Sequence, residues 1–249
     1  MVDVRYLAVI PARMASSRLP GKPLLRLQGR TIVQWVCDAT VASGVFARVL
    51  VATDDERIAD EVVSFGGEAA LTSSTPTTGS ERVAEAYAQL DETFDVVANV
   101  QGDQPFVTTA NLESLIQPFR DGQFPDMTTL AAPLTPELAD DPSTVKVVTD
   151  LSGRALYFSR SRIPATASTA SVAPSLRHHL GLYAFRADFL PAFARLQPTP
   201  LEQVEQLEQL RALEHGYTIV VGPAERSAIE INTPEDFERA EAAVQRSQP

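Results

Sequence analysis

Short apolar runs alternate with amphipathic stretches of helical spacing along the first half of this chain, and that alternation restricts its fold more than any other feature. Leu7-Ala8-Val9-Ile10, halted by Pro11, is a continuous apolar run, the pattern of a strand buried on both faces of a parallel sheet. From Thr31 to Ser43, Ile32, Trp35, Val36, Ala39 and Ala42 recur at steps of three and four and predict a helix with one apolar face. Val49 to Thr53 reads as the next strand. Asp54 and Asp55 then suit the first turn of a helix running to Phe65, where carboxylates favour the positive end of the dipole and Gly66-Gly67 end it. The pattern continues with a strand over 69–72, a helix over 79–90, a strand over 96–101 and a helix over 109–120. Strands and helices in turn imply an α/β fold built on a doubly wound, mostly parallel sheet.

After Met127 the texture changes. Strand-like pieces at 128–132, 145–149 and 155–158, with less helix between them, predict a smaller β-rich insertion over about 126–185, within a single domain spanning 1–249. Residues 165–175 carry no charge and one sizeable apolar group, which predicts a loop with little surface to bury. Leu201 to His215 reads as one Glu- and Gln-rich helix, Thr218 to Val221 as a strand, and Pro234 to Gln245 as a closing helix with Thr233 as its N-cap.

Composition narrows the class. A hydrophobic share of 44% supports one full core, and no stretch reaches the ~20 apolar residues needed to cross a bilayer. The N-terminus leads straight into a strand without a signal-peptide pattern, so a cytoplasmic protein is expected. The one cysteine, Cys37, has no partner for a disulfide and reads as a small buried residue. A net charge of −11 opposes binding to nucleic acid or an anionic membrane. Yet Val4 to Cys37 contains no acid and six cations, Arg5, Arg13, Arg18, Lys22, Arg26 and Arg30. Either this is a solvated basic face, or it is a focused site for a small polyanion.

The loop after the first strand, Arg13-Met14-Ala15-Ser16-Ser17-Arg18-Leu19-Pro20-Gly21-Lys22, favours the second reading. It leaves the carboxyl end of a strand, where ligands of doubly wound sheets bind, and carries three cations suited to a phosphate chain. Gly21 allows close backbone approach and Pro20 stiffens the turn. Neither a Walker loop nor a Gly-x-Gly-x-x-Gly dinucleotide fingerprint follows this strand, which argues against P-loop and nicotinamide chemistry.

This loop resembles the signature of 3-deoxy-manno-octulosonate (Kdo) cytidylyltransferases, enzymes with a nucleotide-diphospho-sugar-transferase-like fold. So do Ala52-Thr53-Asp54-Asp55, Thr78-Gly79-Ser80-Glu81-Arg82, Asn99 to Pro105, Val145-Lys146-Val147-Val148, Ala155 to Arg160, His179-Leu180-Gly181-Leu182-Tyr183, Leu207 to Arg211 and Asn232-Thr233-Pro234-Glu235-Asp236, in family order. The resemblance implies transfer of CMP from CTP to a small acidic acceptor with release of pyrophosphate. It assigns Arg13, Lys22 and Asp103 to catalysis, and Ala12, Arg13, Ser17, Arg18, Lys22, Ser80, Arg82 and Gln101 to the nucleotide. Asp103 and position 232 would hold Mg²⁺, and Arg160, His179, Tyr183, Glu208 and Gln209 the acceptor. Taken alone, Arg82 also reads as an exposed helix residue, Asp103 as a turn residue and His179 as a structural hydrogen-bonding group. His178 and His215 carry no such support, and the three histidines lack zinc-site spacing. A homodimer is implied as well.

One position departs from the family. Its last motif begins with Asp, and this chain has Asn232, an amide that can coordinate Mg²⁺ without adding charge. Glu230, two residues earlier on the same face of an extended segment, is one source of the missing charge. A changed acceptor, such as a phosphonate in place of the acid sugar, is the other explanation, and an impaired CTP-binding relative is a third reading.

Overall fold

The computed structural model describes residues 4–15, 19–165, 175–225 and 230–247. Ser17 and Arg18 of the nucleotide-binding assignment, and positions 166–174 of the expected uncharged loop, lie outside the described residues. The chain separates into two compact units, Met1–Leu112 with Ala228–Pro249, and Glu113–Ser227. The fold is mixed α/β, as the alternation implies.

In chain order the first unit contains β1 (Tyr6–Ala12), β2 (Arg26–Leu27), β3 (Arg30–Thr31), α1 (Ile32–Ala42), β4 (Arg48–Thr53), α2 (Glu56–Ser64), β5 (Ala69–Leu71), α3 (Gly79–Ala88) and β6 (Val96–Asn99), and α4 (Thr109–Arg120) follows. Strands β6, β1, β4 and β5 lie side by side in that order and all parallel. Leu7 to Ile10 of β1 are fully buried, which is why this strand reads as an unbroken apolar run rather than an alternating one. The chain leaves β1 toward β4 and β5, then crosses back to place β6 on the other side of β1. That reversal opens a crevice at the carboxyl ends of β1 and β6.

Local chemistry sets the helix starts. Thr31 Oγ1 accepts from the Gln34 amide, and Thr78 with Glu81 forms a reciprocal capping box on α3. Asp55 is the N-cap of α2, accepting from the Arg57 amide at 3.0 Å. Asp54, expected in the first helical turn, therefore stays outside the helix at the end of β4. A hairpin of β2 and β3, turning on Gln28 and Gly29 with φ of 50° and 81°, was not foreseen because each strand is only two residues long. Cys37 is buried on α1, and burial together with the neighbouring Asp38 pushes its thiol up to about 11.

The unit closes with α8 (Pro234–Ser247). Thr233 Oγ1 accepts from the Asp236 amide at 3.2 Å, and Asp236 Oδ2 accepts in return from the amides of Asn232 and Thr233, each at 2.9 Å. Ile231, Ala240 and Val244 pack with Leu27 and Ile32 in a buried cluster. The Ile231 amide donates to the Asp103 carbonyl at 2.9 Å, so the chain just before α8 is tied to the turn after β6.

The second unit contains β7 (Met127–Pro133), β8 (Lys146–Thr149), β9 (Ala155–Ser159), β10 (Arg177–Arg186), α5 (Leu190–Arg195), α6 (Pro200–Glu205), α7 (Gln209–Glu214) and β11 (Ile219–Pro223). Here β11 pairs parallel with β7, while β7 with β10, β10 with β8 and β8 with β9 are antiparallel. The expected single helix over 201–215 is instead α6 and α7, broken at Gln206, whose φ of 54° is left-handed. The break is held by a buried ion pair: Arg211 Nε and NH2 reach the two Glu202 carboxylate oxygens at 2.8 and 2.6 Å, a two-donor geometry that compensates for burying both charges.

Candidate active site

A cleft of about 780 Å³ opens at the crevice of the first unit, lined by Pro11, Ala12 and Arg13 from the end of β1, Lys22 and Pro23, Thr78, Gly79 and Arg82 at the start of α3, Gln101, Gly102 and Asp103 after β6, and Asn232. Its shape follows from close backbone approach. A Cβ on Gly102 would lie 2.6 Å from the Pro11 carbonyl oxygen, and one on Gly79 would lie 3.4 Å from both Pro11 and the Asn99 side chain. Gly21, with φ of 70°, turns the loop after β1 so that its amide donates to the Met14 carbonyl at 3.2 Å, and Lys22 begins a short 3₁₀ turn.

Arg82 is not a surface residue. Only 3% exposed, it donates from NH1 to Thr72 Oγ1 and to the Ser73 carbonyl at 3.2 Å, and from NH2 to Asp54 Oδ2 at 3.2 Å. A buried guanidinium needs such partners, and they aim it at the wall of the cleft. Ser80 is fully buried and accepts from Asn99 Nδ2 at 3.1 Å, while Gln101 Nε2 lies 3.5 Å from Asn99 Oδ1. Arg13 is exposed just beyond β1, its NH1 3.5 Å from the Thr77 carbonyl oxygen. Arg13, Lys22 and Arg82 thus bring three cations to one cleft of an acidic protein.

At the far end of the cleft, Lys22 Nζ donates to Asp103 Oδ2 at 2.8 Å and to Asn232 Oδ1 at 3.3 Å. Two oxygens, one anionic and one neutral, therefore already converge on a single cation. Asn232 Nδ2 donates to Glu230 Oε2 at 3.3 Å, and Gln104 Nε2 holds Glu230 Oε1 at 3.0 Å. Burial, and then the negative charge of Asp103, push the Glu230 carboxyl up to about 7; its hydrogen bonds and the charge of Lys22 act in the opposite direction. Among the described residues no three His, Cys, Asp or Glu side chains cluster in a metal-binding arrangement. The donor set nevertheless suits Mg²⁺, which is commonly held by one or two protein oxygens together with substrate phosphates and water.

The residues assigned to the acceptor all lie in the second unit. Arg160 donates from Nε to the Glu205 carbonyl at 2.8 Å, from NH1 to the Pro142 carbonyl at 3.1 Å and from NH2 to the Gln206 carbonyl at 3.4 Å. Its backbone amide donates to Glu205 Oε2, whose partner oxygen accepts from Ser159 and Tyr157. Lys146, fully buried, donates to the carbonyls of Asp141, Thr144 and Arg160, and burial lowers its pKa. The segment around Arg160 is thereby fixed from both sides.

His179 is 5% exposed, its Nε2 2.9 Å from Thr129 Oγ1. That hydroxyl also contacts the Leu182 and Leu180 carbonyls at 2.7 and 3.1 Å. Carbonyls only accept, so they take the Thr129 proton and the imidazole must donate from Nε2. Burial, with a smaller contribution from His178, pushes His179 down to about 3 and keeps it neutral. Tyr183 donates its hydroxyl to Gln209 Oε1 at 3.0 Å. Gln209 is 1% exposed, and its Nε2 has no hydrogen-bond partner among the described residues. Glu208 is adjacent, as the N-cap of α7.

The sequence did not single out Asp54 as the partner of Arg82, nor Glu205 for the Arg160 cluster. Asp54 lay inside a motif already recognised. Glu205 had no local signal, because its three donors come from a segment more than forty residues earlier.

A protein-family model described as cytidylyltransferase matches residues 7–219. The chain is 54% identical over 240 residues to a 3-deoxy-manno-octulosonate cytidylyltransferase of Synechococcus elongatus, covering 96% of this chain and 98% of the relative. It is 51% identical over 245 residues to one of Acaryochloris marina, covering 97% and 98%. The solved structure of CMP:2-keto-3-deoxy-manno-octonic acid synthetase complexed with CTP superposes with a TM-score of 0.92 at 36% identity, over 98% of this chain and 99% of that one. A 4-diphosphocytidyl-2C-methyl-D-erythritol synthase of Anaerococcus prevotii, at 17% identity and a TM-score of 0.64 over 97% and 99% of the two chains, shares the fold.

Proposed function

Because this chain belongs to the 3-deoxy-manno-octulosonate cytidylyltransferase family, we propose that it transfers CMP from CTP to Kdo, forming CMP-Kdo and releasing pyrophosphate. The observation that carries the reading to the residues is the cationic cleft at the β1–β6 crevice, where Arg13, Lys22 and Arg82 converge beside Asp103. A hydroxyl of the acceptor, in Kdo the anomeric one, attacks the α-phosphorus in line; the new P–O bond forms as the bond to the β-phosphate oxygen breaks, and the hydroxyl's proton passes to water. No protein nucleophile is required, and the chain contributes position and positive charge.

In this reading Arg13 and Lys22 neutralise charge that grows on the phosphates, and Ser17 and Arg18 are assigned to the nucleotide by the family resemblance. Arg82, Ser80 and Gln101 hold the nucleoside end. Asp103 and Asn232 would hold Mg²⁺, which would offset phosphate charge. Lys22, now on Asp103 at 2.8 Å, has its ammonium within the same cleft to offer to the phosphates. On the acceptor side, the unpartnered Nε2 of Gln209 supports a donor to a sugar oxygen. Arg160 has made three contacts to carbonyls, and its two remaining N–H groups are the ones offered to an acceptor carboxylate. His179 and Tyr183 shape that wall, and Glu208 borders it. A homodimer and a cytoplasmic location are parts of the same proposal; among the described residues no helix is long and apolar enough to cross a membrane.

Pyrophosphate release from CTP tests the proposal, with Kdo and a panel of phosphonates as parallel acceptors. Turnover with Kdo, abolished by EDTA, restored by Mg²⁺ and reduced by orders of magnitude in Lys22→Ala, is the expected result. Turnover only with a phosphonate would transfer the chemistry to another acceptor, and CTP binding without pyrophosphate release would leave a nucleotide-binding protein.

A further inference from the structure

Resting on the reading of Asp103 and Asn232 as the oxygens that hold the metal, we propose that Glu230 and Asn232 act as one unit in which Glu230 supplies, through the Asn232 amide, the negative charge that an Asp at position 232 carries in the family. The orientation of the amide is forced. Lys22 Nζ has only protons to offer, so the Asn232 atom 3.3 Å from it is the carbonyl oxygen. The other end of the amide, Nδ2, is then the atom that donates to Glu230 Oε2 at 3.3 Å. With both ends satisfied, the carbonyl is aimed at the place where Lys22 now bridges Asp103 and Asn232.

Glu230 is itself held from behind. Gln104 Nε2 fixes its other oxygen at 3.0 Å, and the bond from the Ile231 amide to the Asp103 carbonyl, 2.9 Å, keeps 230–232 in step with Asp103. An N–H donated to a carboxylate pushes electron density toward the amide oxygen, as outer-shell carboxylates do behind metal ligands. The pairing also explains why the two residues occur together. An Asp at 232 would set a carboxylate oxygen against Glu230 where the amide N–H now stands, so that the two could pair only by taking up a proton. With Glu230 present, Asn is the residue that fits.

The test is a double-mutant cycle read on metal affinity. Mn²⁺ is titrated into the full chain with CTP at fixed concentration, and protein-bound metal is followed by electron paramagnetic resonance against a protein-free CTP control. Glu230→Gln keeps the side chain's size but removes its charge and leaves one oxygen for two donors, and is expected to weaken Mn²⁺ binding about tenfold, within the range seen for outer-shell partners. Asn232→Asp alone should lower the metal-free Tm. Glu230→Gln with Asn232→Asp should recover both the Tm and the Mn²⁺ affinity, to within about threefold of the parent. Rescue by moving the charge two residues is a result that a merely structural Glu230 does not produce. Metal-free Tm and CTP binding of each variant show that the fold is kept. Parent-like Mn²⁺ affinity in Glu230→Gln, or a double variant as weak as that single one, overturns the inference. A parent protein that binds no Mn²⁺ beyond the CTP control overturns the metal reading and this inference with it; in either of the first two outcomes the metal reading stands and the inference alone falls.

Discussion

Replacing His179 by Gln should flatten the acid limb of the protein's stability curve, and the size of the effect can be worked from its burial. His179 is held neutral with a pKa of about 3, against 6.5 for the exposed side chain. The unfolded chain therefore takes up a proton on this residue below pH 6.5, while the folded one does not until near pH 3. The sign follows directly: the folded pKa is depressed, so the stability contributed is fully present above 6.5 and is lost as pH falls. At pH 5 the unfolded state gains about 2 kcal/mol from this proton, and at pH 7 almost nothing. The pH 5 value barely depends on how far below 4 the folded pKa lies, because the unfolded group sets it. Gln keeps an amide N–H for Thr129 Oγ1, now 2.9 Å from Nε2, but loses the edge-on ring contact with Phe158 at 4.8 Å between centroids. It will be less stable than the parent at pH 7, and the informative quantity is the difference in slope. Urea unfolding of parent and variant at pH 7, 6 and 5 measures it, since all other titrating groups are common to both. The parent should lose about 2 kcal/mol more than the variant between pH 7 and 5. Parallel curves would show that the imidazole is protonated in the fold and that the argument from burial is wrong.

Three further outcomes are expected. Gly102→Ala must displace either β1 or the Asp103 turn, because its Cβ would lie 2.6 Å from the Pro11 oxygen; a loss of about 1–3 kcal/mol by chemical denaturation and about a hundredfold in pyrophosphate release should accompany it. Arg82→Met leaves Asp54 without the guanidinium 3.2 Å away and should raise the KM for CTP more than tenfold, whereas an unchanged KM would remove Arg82 from the nucleotide site. Arg211→Met strands the buried Glu202 carboxylate and should cost about 3–5 kcal/mol in guanidinium unfolding, with the α6–α7 break as the first region to lose amide protection in hydrogen exchange.

What could be read from the sequence was whatever depends on near neighbours. The apolar run of β1, the helical spacing of α1 and the Thr233 cap of α8 are local patterns with local causes, and the structure contains them where expected. The order of strands and helices implied a crevice after β1, and the cleft lies there. The cations of the β1 loop and, through the family resemblance, Asp103 after β6 marked its chemistry.

Other features needed the tertiary structure because their causes are far apart in the chain. The helix pattern over 201–215 is continuous, yet Arg211 closing on Glu202 sets α7 against α6 and breaks it at Gln206; periodicity records a face, not a partner. Arg82 looked like a solvated helix residue until Thr72, Ser73 and Asp54 closed around it. Asn232 looked like a lost charge. Glu230 was legible two residues away, but only the fold brings Lys22 in front of the amide, from 210 positions away in sequence, because a hydrogen bond depends on distance in space and the sequence records only distance along the chain.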